Sequence, residues 1–300
     1  MRSAPRVLAI YGPTASGKTA VARALLDRLE AEVVSADSAA LYAGLPVLTA
    51  APDYRARLVG IVPLERDVSV GEYQRHAHAA IDQILAAGRT PVVVGGTGLY
   101  LRAALSALEL PPPPAPGERE RWSRLDDRLG PESAHAALAE HDPAAAARVH
   151  ANDRRRVVRA LELAAAGASL APPRERLWSD DFRHPTTLAG LDVAPEALEA
   201  RIRARVADQV ARGAVDEARA AWARPLSETA RKVLGLEQFA TLPLDEAVEA
   251  VVVASRQLAR YQRKWLRRLP AATLAAARPP EEIADDLCAL AGAGERLPRR

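Results

Sequence analysis

A single cysteine, Cys288, stands in the 300 residues of this chain. A disulfide framework or a cysteine-based metal site cannot be assembled within it, and Cys288 is expected to pack passively. The six histidines fall without metal-ligand spacing, so no zinc centre is expected. Aromatic residues are scarce, with two Phe, four Trp and six Tyr. The core must therefore come from Ala, Leu and Val. No apolar run approaches the roughly 20 residues that cross a bilayer. The opening MRSAPRVLAIYGP has too short an apolar run for a secretory signal. A soluble, reduced, cytoplasmic protein is expected, with nothing demanding more than a monomer. Charge is nearly balanced, with 41 Lys and Arg against 38 Asp and Glu, net +3. That excess is too small to imply a polyanionic partner, so clustering of the basic residues has to decide.

What is present is a periodic α/β pattern without internal repeats. RVLAIY at 6–11 reads as a buried strand, and GKTAVARALLDRL continues as a helix. AEVVSADS at 31–38 reads as a second strand with Asp37 at its carboxyl end. The segment 69–88 has helical spacing and stops at Gly88. PVVV at 91–94 is a third strand opening into Gly95-Gly96-Thr97-Gly98. Strand–helix alternation predicts a parallel sheet. In such sheets ligands collect beyond the carboxyl ends of the strands. Four prolines at 111–114 cannot continue a helix or a sheet interior and mark a boundary. The next segment, about 118–167, is helical in character, and 172–185 is irregular. TTLAGLDV at 186–193 returns to strand, and helices dominate from 196 onward. The expected organisation is an α/β core at 1–110 and 186–300 with a helical insertion at 115–185.

Gly12-Pro13-Thr14-Ala15-Ser16-Gly17-Lys18-Thr19 fits G-x-x-x-x-G-K-[ST] between a strand and a helix. Such a loop turns backbone N–H groups inward at a helix N-terminus, and so cradles phosphate. Lys18 adds a full charge, and the Thr19 hydroxyl can hold Mg²⁺. The motif does not say whose phosphate is bound. By position, Asp37 could order Mg²⁺ as in an ATPase or act as a base, and a nucleotide or small-molecule kinase fits the loop equally well.

Later segments resolve this by resemblance. GPTASGKT, DSAALY at 37–42, GGTGLYLRAAL at 95–105, HDPAAAARVHANDRRRVVRALEL at 141–163 and SRQLARYQRKWLRR at 255–268 together resemble the tRNA dimethylallyltransferase family. KVLGLEQF at 232–239 matches more loosely. The resemblance implies a P-loop NTPase-like parallel sheet with a helical insertion that contacts tRNA. It implies transfer of a dimethylallyl group from dimethylallyl diphosphate to N6 of the adenosine 3′ of the anticodon. The phosphate loop, residues Gly12 to Thr19, would hold the leaving diphosphate with Arg205 as a clamp and Mg²⁺ on Thr19. Asp37 would be the general base, with Thr97 beside it. Asp37, Ser38, Ala39, Ala40, Thr97, Arg119, Arg155, Arg156, Arg159 and Lys232 would meet the anticodon stem-loop. Four positions depart from the family's pattern: Ala40 stands where Gln is frequent, Leu48 where Gly is, Ala51 where Lys is, and Ala168 follows Gly167 in place of Lys.

The basic residues cluster on two predicted helices. In 152–167, Arg155 and Arg159 share a face, Arg154 and Arg156 adjoin it, and Val157, Leu161 and Ala164 form an apolar stripe. Like charges at i,i+4 repel, and an RNA backbone would offset that; Glu162 could instead pair with Arg159. On the last long helix, Arg256, Arg260, Arg263, Lys264 and Arg267 make a basic stripe. There Val251, Leu258, Tyr261, Trp265 and Leu269 form an apolar seam, with Trp265 expected in the core rather than as a base-stacking platform. Arg201 and Arg205, four apart, should face the same way. The alternatives are a kinase and an RNA-binding homologue without activity.

Overall fold

The computed structural model describes residues 6–110, 115–170 and 176–292. The described residues fall into two compact units. One runs to Leu108 and resumes at Leu177; the other spans Glu109–Arg176. The insertion therefore ends earlier than the 115–185 read from the sequence. The reason lies in two aromatic residues of the irregular segment. Phe182 packs against the main core, and Trp178 lies 4.6 Å from Trp265, ring centre to ring centre. The four-proline run at 111–114 lies outside the described residues.

The first unit begins with β1 (Val7–Tyr11), α1 (Lys18–Leu26), β2 (Ala31–Ser35) and β3 (Ala56–Arg57). It continues with α2 (Val70–Ala86), β4 (Thr90–Gly95) and α3 (Gly98–Leu105). The six strands of the sheet are all parallel, in the order β3-β2-β4-β1-β5-β6. β1 is buried at every position, as a central parallel strand covered on both faces must be. α2 starts on Ser69, whose hydroxyl accepts the Glu72 N–H, and stops just before Gly88 at φ 71°.

The second unit holds α4 (Glu118–Leu129), α5 (Pro131–His141), α6 (Pro143–Ala146) and α7 (Arg154–Ala165). Its separate core includes Trp122, Leu138, Val157 and Leu161. Asp153 caps α7 by accepting the Arg156 N–H at 3.2 Å. The first unit then resumes with β5 (Thr186–Asp192), α8 (Pro195–Ala211), α9 (Ala214–Trp222) and α10 (Leu236–Thr241). It closes with α11 (Leu244–Leu266), β6 (Ala272–Ala275) and α12 (Pro280–Gly292). Two edge strands, β3 and β6, escape a sequence reading. One has two residues, and the other alternates half-buried with exposed positions.

The apolar seam read from the sequence along α11 is only partly buried: Val251 and Leu269 are in the core and Trp265 packs against it. Ala247, Val251, Val252, Ser255, Ala259, Gln262 and Leu266 face inward, while Leu258 and Tyr261 are exposed. The small residues Ala259 and Ser255 let the helix approach its neighbours closely. The larger apolar side chains are turned outward by that choice.

Candidate active site

Three neighbouring strands deliver the motifs to one rim. Tyr11 at the end of β1 is in register with Gly95 of β4, and Ser35 at the end of β2 is in register with Val94 of β4. β4 thus stands between the strand feeding the phosphate loop and the strand feeding Asp37. Strands in a sheet are about 4.8 Å apart, so the two outer strand ends are separated by roughly 10 Å. That gap leaves room for a phosphate-bearing ligand between the loop and Asp37.

The loop at 12–17 has the backbone of such a nest. Ala15 sits at φ 61° and Gly17 at φ 93°. An alanine in the left-handed region costs on the order of 1 kcal/mol or more and persists where the surroundings enforce it. Alternating right- and left-handed residues aim successive N–H groups at one point. Lys18, opening α1, folds back and donates to the carbonyls of Gly12 at 2.9 Å and Pro13 at 2.7 Å. Desolvation pulls its ammonium down to about 8, opposed by Asp37 and reinforced by the like charge of Arg205. Burial likewise lowers the Arg205 guanidinium, against the attraction of Asp37. The three groups therefore share one electrostatic field. The Ser16 hydroxyl is buried without a partner among the described residues, although it belongs to the cavity wall.

A cavity of about 530 Å³ joins these parts. Thr14 to Thr19, Asp37, Arg201 and Arg205 all line it. Its apolar wall comes from Leu48, Tyr54, Val59, Val233, Leu234 and Leu258. Ala39 and Ala40 also contribute, as does the segment Ala50, Ala51 and Pro52. Arg201 and Arg205 do face the same way, but Arg201 also donates to the Ala276 carbonyl at 3.0 Å. Asp37 accepts the N–H of Ala39 at 2.9 Å, which fixes its carboxylate and leaves acceptor capacity free. Ser38 and Thr97 are not among the lining residues. Instead the Thr97 hydroxyl lies 3.4 Å from both the N–H and the hydroxyl of Ser38. Thr97 thus stands behind the loop carrying Asp37. Lys232 is exposed beside the lining residues Val233 and Leu234.

Gln262 was not singled out from the sequence, yet it ties the rim together. Its Oε1 accepts the Thr14 N–H at 2.7 Å, and its Nε2 donates to the Gly96 carbonyl at 2.9 Å. The Tyr11 hydroxyl donates to its backbone carbonyl at 3.2 Å. Gln262 is buried and lines the cavity. The glycine-rich turn is explained by the same crowding. A side chain on Gly95 would strike the backbone of Ala36, and one on Gly98 would strike the Trp265 ring. A glutamine within the inward face of an amphipathic helix is the signal that could have revealed it, because a buried amide must find partners.

Among the described residues no cluster of three His, Cys, Asp or Glu can hold a metal. The Thr19 hydroxyl, exposed at the start of α1 and part of the cavity wall, is the donor type that Mg²⁺ takes when substrate phosphate and water complete its shell. The residues present fit a substrate-borne Mg²⁺.

In the helical unit, the basic cluster divides. The Glu162 carboxylate is wholly buried and accepts Arg119 Nε and Arg159 Nη1, each at 2.8 Å. Arg154 pairs with Asp126 at 3.0 Å and with Asp127 at 2.7 Å. Arg155 and Arg156 are exposed and make no ion pair among the described residues.

A family model described as IPP transferase matches residues 40–269. A protein named tRNA dimethylallyltransferase from Anaeromyxobacter dehalogenans is 43% identical over 278 residues, covering 88% of this chain and 90% of that protein. One of the same name from Streptomyces coelicolor is 42% identical over 280 residues, covering 89% of each. Among solved structures, the full-length tRNA isopentenylpyrophosphate transferase from Bacillus halodurans superposes with a TM-score of 0.68 at 27% identity, covering 97% of this chain and 98% of that one. A eukaryotic dimethylallyltransferase acting on tRNA shares the fold, with a TM-score of 0.73 at 23% identity over 91% of this chain and 74% of that one.

Proposed function

The chain belongs to the IPP transferase family, and from that premise we propose that it transfers a dimethylallyl group from dimethylallyl diphosphate to tRNA. The acceptor is N6 of the adenosine on the 3′ side of the anticodon. The observation that carries the reading is the single cavity shared by the phosphate loop, Arg205 and Asp37. A nest and a carboxylate alone would also serve a kinase; the apolar wall of Leu48, Val59, Val233, Leu234 and Leu258 beside them suits a prenyl tail and favours the alkyl transfer.

The diphosphate lies in the nest of residues 12–19, held by backbone N–H groups, Lys18 and Arg205. Its dimethylallyl tail rests against the apolar wall. The adenosine leaves its loop stack, at a cost of a few kcal/mol, and brings N6 toward the allylic carbon. The C–N bond forms as the allylic C–O bond breaks, and the electron pair departs with the diphosphate. Charge that develops on the leaving oxygen is met by preorganised donors. The N6 proton becomes acidic as the bond forms, and Asp37 accepts it. Mg²⁺, held by Thr19 and the diphosphate, would supply further charge neutralisation. Thr97 acts through Ser38, steadying the loop that presents Asp37. Ala39, Ala40 and Lys232 border the path of the RNA, and Arg155 and Arg156 meet its backbone. Arg119 and Arg159, held by Glu162, contribute field more than direct contact. We infer a cytoplasmic monomer; among the described residues no helix is long and apolar enough to cross a membrane.

The test is incubation with labelled dimethylallyl diphosphate, Mg²⁺ and an unmodified tRNA transcript. Label in the adenosine next to the anticodon is the expected result. ATP consumption without label transfer would favour the kinase, and tRNA binding alone would favour an inactive homologue.

A further inference from the structure

Helix α11 carries two apolar stripes, and the fold covers one of them. The covered stripe runs from Ala247 to Leu266. The other consists of Leu258, Tyr261 and Trp265, spaced at three and four residues. Leu258 is 37% exposed and Tyr261 58% exposed. Leu258 belongs to the wall of the active-site cavity, and Tyr261 follows it by less than one turn, or about 5 Å along the helix. Trp265 is half-buried over Gly98, whose missing side chain makes room for the ring. Tyr261 meets Trp265 edge-on at 6.4 Å and 65°. Trp265 in turn packs on Trp178, which is capped by the Arg268 guanidinium 3.6 Å from its ring centre.

The charged side chains from Arg256 to Arg268 are all basic, and two of them, Arg256 and Arg263, are paired with Glu199 and Asp192. Arg260, Lys264 and Arg267 are exposed and make no ion pair among the described residues. An apolar protein partner would leave these cations uncompensated. A single-stranded nucleic acid satisfies both features, because its bases stack on aromatic faces and its phosphates meet the cations. Recognition of an unpaired loop by stacking is also what RNA physics favours.

We propose that Tyr261 is a stacking platform for the nucleotide next to the adenosine that enters the cavity. The proposal rests on the reading of the chain as a tRNA-modifying enzyme and adds a specificity-determining contact to it. Tyr261 orders the neighbouring nucleotide against its exposed ring, and Arg260 and Lys264 hold the adjoining phosphates.

The experiment uses the full chain and an anticodon stem-loop RNA. 2-Aminopurine replaces, in turn, the nucleotide on each side of the target adenosine. Wild-type protein is expected to quench the fluorescence at one of these positions. Y261A should abolish that quenching and weaken RNA binding by roughly tenfold, the scale of one lost base–aromatic stack. Y261F should keep both, and inorganic pyrophosphate binding should show that each variant is folded. Y261A that binds and quenches like the wild type would overturn the platform. So would a Y261F as defective as Y261A, which would point to the hydroxyl, or a loss of self-association in Y261A with RNA binding unchanged, which would make a second copy the occupant. If wild-type protein transfers no dimethylallyl group to tRNA, the enzymatic reading fails, while the stacking contact is still judged by quenching and affinity.

Discussion

Lys18 carries a conflict that sets a pH window. It is the charge most directly available to the diphosphate, yet its surroundings lower it from 10.5 to about 8. Below pH 8 the free protein presents an ammonium. As the pH rises through 8 that charge is lost, and binding must take up a proton. Pyrophosphate affinity, followed by calorimetry, should begin to weaken as the pH approaches 8 and fall more steeply above it, approaching tenfold per pH unit. K18M should bind weakly and without that slope. The folding consequence has the opposite sign. Between the folded value near 8 and the unfolded value of 10.5, the unfolded chain holds more protons, so stability rises with pH across this interval. The denaturation midpoint of wild type relative to K18M should therefore increase from pH 8 to 10. Gln262 gives a second test at this scale. Gln262→Ala leaves the Thr14 N–H and the Gly96 carbonyl unpaired, at a cost of about 1–3 kcal/mol. A lower denaturation midpoint together with a raised KM for dimethylallyl diphosphate is expected.

At the scale of elements, the site is made by turns that follow β1, β2 and β4. Gly95 approaches the Ala36 backbone too closely for any side chain. Overpacking against immobile backbone typically costs 1–3 kcal/mol, so Gly95→Ala should lower stability by about 2 kcal/mol in urea titration. Arg155, exposed near the start of α7, should act on RNA through charge alone. R155E is expected to weaken tRNA binding and to flatten the dependence of log affinity on log salt by at least about one. Much of this was legible in advance. The phosphate loop, Asp37 and the Gly-rich turn are local patterns, and strand–helix alternation puts their strand ends on one rim. What could not be read depended on partners distant in sequence. Gln262 bonds across 248 residues to Thr14, and Trp178 reaches Trp265. Apolar character alone does not separate the buried part of the α11 seam, Val251, from its exposed part, Leu258 and Tyr261. Close approach selected Ser255 and Ala259 for the inside and left Leu258 and Tyr261 for the cavity and the solvent.

The whole molecule has a net charge of only +3, so attraction for RNA must come from local clusters and not from a general field. Opposite charges already neutralise much of the basic content, as Glu162 does for Arg119 and Arg159. Exposed cations without an ion pair among the described residues include Arg155 and Arg156 in one unit and Arg260, Lys264 and Arg267 in the other. The central claim concerns the first unit alone: one cavity holds both the leaving group's nest and the base that takes the N6 proton. It is tested most directly by measuring turnover and pyrophosphate affinity on the same preparation of Asp37→Ala. Loss of general-base catalysis alone removes about 10²- to 10⁴-fold. A turnover loss of that size, with pyrophosphate affinity changed by no more than a few fold, is the expected result. A variant that still transfers dimethylallyl groups at the wild-type rate would contradict it.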